Sequence, residues 1–129
     1  MMIVGLGTDI VEVDRIAKMI ADHGDHFLNR VFTPGEIAHC SNRRESAPHY
    51  AGRWAAKEAV MKVLGTGFTT EVGWTDIEVV TQPSGKPTIV LHGTTRDAAM
   101  RLGIVEVMVS ISHTKTYATA TAIGVSKAS

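Results

Sequence analysis

No stretch of this chain constrains its fold more than Arg53-Trp54-Ala55-Ala56-Lys57-Glu58-Ala59-Val60-Met61-Lys62, in which strong helix formers carry four charges through an otherwise apolar run. With its flanks it predicts a helix of about five turns from near Ser46 to Leu64, opened by Ser46-Ala47-Pro48 and closed by Gly65-Thr66-Gly67. Tyr50, Trp54, Ala56, Ala59, Met61 and Val63 leave the helix apolar round most of its circumference, as expected of a helix buried between a sheet and other elements. On helical geometry Glu58 and Lys62 fall together beside Ala51 and Ala55, whereas Arg53 and Lys57 fall far round the axis beside Val60 and Leu64. Charges in such a setting are costly unless they are paired or bind something. Glu58 and Lys62 therefore read either as an i,i+4 ion pair or as part of a site, with the small alanines leaving room for a ligand.

The N-terminal segment bears on that choice. Ile3-Val4-Gly5-Leu6-Gly7-Thr8-Asp9-Ile10-Val11 alternates as a strand, with Val4, Leu6, Thr8 and Ile10 on one face and Gly5, Gly7 and Asp9 on the other. Glycines inside a strand mark close approach of a ligand or of another backbone. The second face is thus bare and ends in a carboxylate. A dinucleotide fingerprint is excluded, because the third glycine is missing and the following helix opens with Glu12 and Asp14.

Glu12 to His23 carries apolar residues at helical spacing, Phe27 to Phe32 continues as a turn or short helix, and Thr33-Pro34-Gly35-Glu36 is a helix start running to about Cys40. The second half reads as strands. Thr75 to Val80 and Lys86 to Leu91 form a hairpin around Gln82-Pro83-Ser84-Gly85, and Thr94 to Leu102 is a helix with Ala98, Ala99 and Leu102 inward. Val105 to Ser112 and Tyr117 to Val125 are two longer strands joined by His113-Thr114-Lys115-Thr116. With no repeat or linker, this predicts one α+β domain over residues 1–129, a mainly antiparallel sheet packed against a long central helix.

Ordinary globular values, 44% hydrophobic and 20% charged, exclude a disordered chain, and no apolar run is long enough to span a membrane. The start lacks the basic region of a signal peptide, and the single cysteine, Cys40, rules out an internal disulfide and fits a reducing cytoplasm. Zero net charge argues against a nucleic-acid binder. The charge is uneven, however: residues 1–42 hold three basic groups against six acids, and residues 43–62 hold five against Glu45 and Glu58. A phosphate-bearing small molecule fits the central helix and its approach, Asn42-Arg43-Arg44-Glu45.

Asp9 and Glu58 without a supporting Cys or His set are too few and too hard for structural zinc. They are what Mg²⁺ uses when substrate phosphates and waters complete its shell, and Lys62, one turn beyond Glu58, is placed for a phosphate oxygen. The six histidines show no ligand spacing and read mostly as surface or capping residues; His113, where a strand meets a turn, is the exception to follow.

Gly5-Leu6-Gly7-Thr8-Asp9-Ile10-Val11-Glu12, Arg53-Trp54-Ala55-Ala56-Lys57-Glu58-Ala59 with Lys62 and Gly65-Thr66-Gly67, Gly85-Lys86-Pro87, and Ser110-Ile111-Ser112-His113 resemble the holo-acyl-carrier-protein synthases, short members of the 4′-phosphopantetheinyl transferase superfamily. The resemblance covers nearly the whole chain in order and spacing. It implies Mg²⁺-dependent transfer of phosphopantetheine from coenzyme A to a serine of apo acyl carrier protein, releasing adenosine 3′,5′-bisphosphate. By that analogy Asp9 and Glu58 hold the metal, Lys62 sits on the transferred or leaving phosphate, and Glu58 takes the serine proton directly or through a metal-bound water. The resemblance further implies a homotrimer with coenzyme A in clefts between subunits, which would account for the apolar circumference of the central helix. Arg53, Gly85, Lys86, Pro87 and His113 then line that cleft with Lys62, and Arg15 matches a basic residue of the first helix that meets the acidic carrier.

Two other classes use similar residues. A Mg²⁺-dependent nuclease or phosphodiesterase also sets an Asp, a Glu and a Lys around a metal. A non-catalytic oligomeric nucleotide-binding or scaffold domain would use Asp9 and Glu58 structurally.

Overall fold

A computed structural model describes residues 1–65 and 71–127. The chain runs β1 (Ile3–Glu12), α1 (Val13–His23), α2 (Asp25–Val31), α3 (Pro34–Ser41), α4 (Ser46–Leu64), β2 (Ile77–Thr81), β3 (Pro87–Leu91), α5 (Gly93–Arg101), β4 (Ile104–His113) and β5 (Tyr117–Ser126). The strands form two antiparallel sheets, one in the order β1-β5-β4 and the other a β2-β3 hairpin. This is the expected α+β fold organised on the long helix.

Helix α4 has the bounds that its sequence predicts. Gly65 ends it in the left-handed conformation, φ 76°, where a side chain would be strained, and its N–H bonds to the carbonyls of Met61 and Lys62. The rest of the expected closing motif, Thr66-Gly67, lies outside the described residues. Helix α3 opens with the expected capping box, Thr33 and Glu36 each bonding the other's backbone N–H.

Strands β1 and β5 build their part of the sheet's inner face mainly from small residues. Register pairs Gly5 with Gly124, Gly7 with Ala122 and Asp9 with Ala120, and α4 lies on this wall. A Cβ on Gly7 would stand 2.0 Å from the Ala59 carbonyl oxygen, and one on Gly5 2.8 Å from that of Val63. Helix and strand thus touch backbone to backbone, so the bare strand face receives the helix rather than a ligand. Ala51 and Ala55 are fully buried in the same layer. At its other end α4 passes over β4, where a Cβ on Gly52 would stand 2.9 Å from Cγ2 of Ile111.

The protomer itself covers the apolar circumference of α4: the sheet takes one side, and α1, α3 and β2 take much of the rest. The expectation that neighbouring subunits explain that circumference is therefore corrected. The uncovered apolar surface is instead the outer face of the sheet, where Leu6 is 65% and Ile10 67% exposed beside Met108 and Tyr117. Val4 is also exposed on this face.

Two smaller expectations fail for local reasons. The first strand of the hairpin begins at Ile77, because Trp74–Asp76 form a 3₁₀ turn in which the Asp76 carboxylate accepts from Thr95 Oγ1 at 3.1 Å and its carbonyl from His92 N at 2.8 Å. Leu102 is 48% exposed, since α5 ends one residue earlier at Arg101. Cys40 is fully buried, and burial pushes its thiol up to about 11, so it behaves as a small hydrophobe.

Candidate active site

The contact between β1 and α4 brings Asp9, Glu58 and Lys62 together. Lys62 Nζ donates to the Thr8 carbonyl at 2.7 Å and lies 3.4 Å from Asp9 Oδ1. Glu58 and Lys62 form no ion pair with each other, so the i,i+4 reading is replaced by a bridge from helix to strand. Glu58 is half-buried, and its pKa is raised, first by burial and then by the Asp9 carboxylate, with Lys62 and Arg15 acting in the opposite direction.

Two carboxylates that repel each other in a partly desolvated setting are stabilised by positive charge, of which Lys62 supplies one at Asp9. Among the described residues no cluster of three His, Cys, Asp or Glu side chains suited to a metal is present. The donor set therefore fits an ion that needs few protein ligands, all of them hard oxygens, and draws the remainder from water and phosphate, as Mg²⁺ does.

Arg15, the expected carrier contact, sits close to this centre. Its guanidinium carbon lies 5.6 Å above the Trp54 ring, Trp54 stacks on Trp74 with centroids 4.5 Å apart, and Arg15 lines a surface hollow with Ile10, Val11, Glu12 and Tyr117. Lys18 on the same helix is neutralised by Asp22 at 2.9 Å.

The expected coenzyme A residues gather elsewhere. Arg53, Gly85, Pro87 and His113 line a cleft of about 230 Å³ together with His39 and His49. A second hollow shares its Arg43, His49 and His113 and adds Arg44, Glu45 and Lys115. The basic approach to α4 thus becomes the rim of one anion-attracting surface. Arg53 is buried, donates to Thr81 Oγ1 at 2.9 Å, and its pKa is lowered by burial. Lys86 is exposed at the hairpin turn and does not line the cleft, whereas Lys62 belongs to the carboxylate centre. Ile111, which lines the cleft, pairs with Ala120, and Ala120 with Asp9. About 10 Å of sheet therefore separates basic cleft from carboxylates.

Lys57 has a different task from Lys62. It is wholly buried, with Nζ 2.8 Å from Glu36 Oε1 and bonded to the carbonyls of Trp74, at 3.0 Å, and Ile77. The other Glu36 oxygen accepts from Val79 N at 2.7 Å, so one carboxylate ties α3, α4 and β2 together. Sequence reasoning identified Glu36 as a cap but missed this partner. It also passed over His39 and His49; the signal was present, since His49, Arg53 and Lys57 follow at four-residue intervals along one helix face.

The sequence model of the family described as the 4′-phosphopantetheinyl transferase superfamily matches residues 5–122. A holo-[acyl-carrier-protein] synthase of Koribacter versatilis is 48% identical over 95% of this chain and 98% of its own. Among solved structures, the holo-[acyl-carrier-protein] synthase of Neisseria meningitidis superposes with a TM-score of 0.87 at 31% identity, covering 95% of this chain and 98% of that one. The Helicobacter pylori holo-[acyl-carrier-protein] synthase in complex with coenzyme A gives 0.83 at 31% identity over 93% and 99%. A match of this length, carried by relatives aligned almost end to end and by the same fold, means that the chain belongs to the 4′-phosphopantetheinyl transferase superfamily.

Proposed function

We propose that this chain is a holo-acyl-carrier-protein synthase that transfers the 4′-phosphopantetheine group of coenzyme A to a serine of apo acyl carrier protein. Its relatives carry that name, and one of them is described with coenzyme A bound. The observation that carries the reading for this chain is the convergence of Asp9, Glu58 and Lys62 at the β1–α4 contact.

Asp9 and Glu58 would hold Mg²⁺, which supplies charge neutralisation for the pyrophosphate of the substrate. Phosphoryl transfer depends chiefly on positioning and on stabilising charge at the phosphate oxygens. Lys62, half-exposed and tethered to the Thr8 carbonyl, is placed to meet such an oxygen. Glu58 is also the carboxylate that would accept the proton of the serine hydroxyl, directly or through water. The serine oxygen then forms its bond to phosphorus as the bond to the departing adenosine 3′,5′-bisphosphate breaks.

The basic cleft around Arg53, Gly85, Pro87 and His113 receives coenzyme A, with Lys86 at its edge, and Arg15 meets the carrier beside the reacting centre. Because cleft and carboxylates stand on different sides of α4, an assembly in which one protomer's cleft faces its neighbour's carboxylates completes the site. A cyclic homotrimer joined through the outer sheet face fits this need and covers Leu6 and Ile10. Among the described residues no helix is long and apolar enough to cross a membrane, and the reading places the enzyme in the cytoplasm.

The test is mass spectrometry of apo carrier protein incubated with this protein, coenzyme A and Mg²⁺. A mass gain of one phosphopantetheine arm is expected, and it should vanish with Asp9→Ala or Glu58→Ala while both variants stay folded. No gain with the wild type, or full turnover in either variant, would overturn the assignment.

A further inference from the structure

Three histidines from three different elements meet at the basic cleft. His49 of α4 packs edge-on against His113 at the end of β4, ring centroids 4.9 Å apart, and against His39 of α3 at 6.5 Å. Arg43 closes the outer end, its guanidinium 3.4 Å from His39 Nε2. The cleft's remaining charged groups are Arg53 on α4, Arg44 and Glu45 before it, and Lys115 after His113; the β2–β3 hairpin contributes Thr81, Gly85 and Pro87. A single carboxylate therefore stands against four full cations and three titratable rings.

That surplus sets the state of the stack. Burial and the neighbouring arginines lower the pKa of both His39 and His49, and His49 is also lowered by His113. Both shifts favour the neutral imidazole of His39 and His49 near neutral pH. A dianion entering beside them reverses the balance, since it screens the arginines and offers an acceptor to an imidazolium N–H. On the reading above, the pyrophosphate of coenzyme A goes to the Asp9, Glu58 and Lys62 of a neighbouring copy, which leaves the ligand's phosphomonoester as the dianion for this cleft.

We propose that His49 is a positioning residue through which the phosphomonoester of coenzyme A draws a proton onto the His39–His49–His113 stack as it binds. The proposal rests on the reading that this cleft receives coenzyme A. His49 touches His113 on one side and His39 on the other, so it links the ring at the cleft mouth to the ring beside Arg43. Lower pH then strengthens binding through the stack, in opposition to the phosphate's own protonation, which takes charge away from the ligand.

Calorimetric titration of the wild-type protein with coenzyme A at pH 7.5, where the phosphomonoester is already a dianion, in two buffers of different ionisation enthalpy, measures proton uptake without any substitution. Dephospho-coenzyme A, which lacks the monoester, is the control ligand. Net uptake with coenzyme A and none with the control is expected. His49→Phe, which keeps a ring of similar size, should reduce the uptake, and between pH 8 and 6 its affinity for coenzyme A should gain about three- to tenfold less than that of the wild type. Should His49→Phe fail to fold, His49→Gln serves in the same comparison. Equal uptake with both ligands, or a pH profile unchanged in the variant, would overturn the proposal and leave the transferase reading standing. Failure of the wild type to bind coenzyme A at all would overturn both.

Discussion

The two lysines of α4 look interchangeable by type and are opposites by environment. Lys57 is buried against Glu36, and removing one member of such a pair leaves the other charge without compensation. Lys57→Met should therefore lower the unfolding free energy by about 3–5 kcal/mol, read from urea denaturation. Lys62→Ala, at a half-exposed position facing the carboxylates, should leave stability near that of the wild type and cut turnover by about one to three orders of magnitude in steady-state kinetics. The reverse pattern would place the active face of α4 on the wrong side. Helical periodicity alone separated these two residues in the sequence, but it gave no hint that Glu36, a cap on another helix, would be the partner of Lys57. A long-range ion pair leaves no local pattern to read. Glu58 supplies a second test at this scale. Its raised pKa means that protonated Glu58 favours the folded state, a contribution complete below the ordinary carboxylate range and lost as pH rises through the raised value. Glu58→Gln removes that loss. Melting curves should show it at least as stable as the wild type at pH 7 with no such advantage at pH 4, while its transferase activity is abolished.

At the level of elements, the decisive contact is β1 on α4. The alternation of Gly5, Gly7 and Asp9 was plain in the sequence, and so were the bounds of α4, because strong formers and a glycine stop mark them. What periodicity left open was whether the glycine face served a ligand or a backbone, since both require the same missing Cβ. The packed structure decides it through the Ala59 and Val63 carbonyls. Gly7→Ala should accordingly force strand and helix apart, lowering stability by about 1–3 kcal/mol and turnover with it, as Asp9 is carried away from Glu58. A variant with wild-type melting temperature and activity would show that the layer yields more than this contact allows. The start of β2 was misplaced by two residues for a related reason. Alternation cannot register that Asp76 bonds Thr95 and His92 and so holds its own segment in a turn.

For the molecule as a whole, the basic cleft and the carboxylate centre lie on different sides of one helix, and an apolar sheet face points outward. If neighbouring copies complete each other's sites, two inactive variants should rescue one another: Asp9→Ala mixed with Arg43→Glu/His113→Ala, after joint refolding, should regain part of the wild-type rate. Light scattering on Ile10→Lys should show dissociation together with loss of turnover. Mixing without rescue would place the entire site within one protomer. The small-residue wall beneath α4 carries a last implication, for how such a protein changes over generations. The spacing of β1 and α4, and so of Asp9 and Glu58, is set largely by main-chain atoms in contact, which have no rotamers to adjust and offer mutation almost nothing to tune. Change is better tolerated away from that contact, where exposed side chains such as Met100 and Val105 touch neither β1 nor the basic cleft. A lineage built this way can acquire new carriers while its chemistry stays fixed.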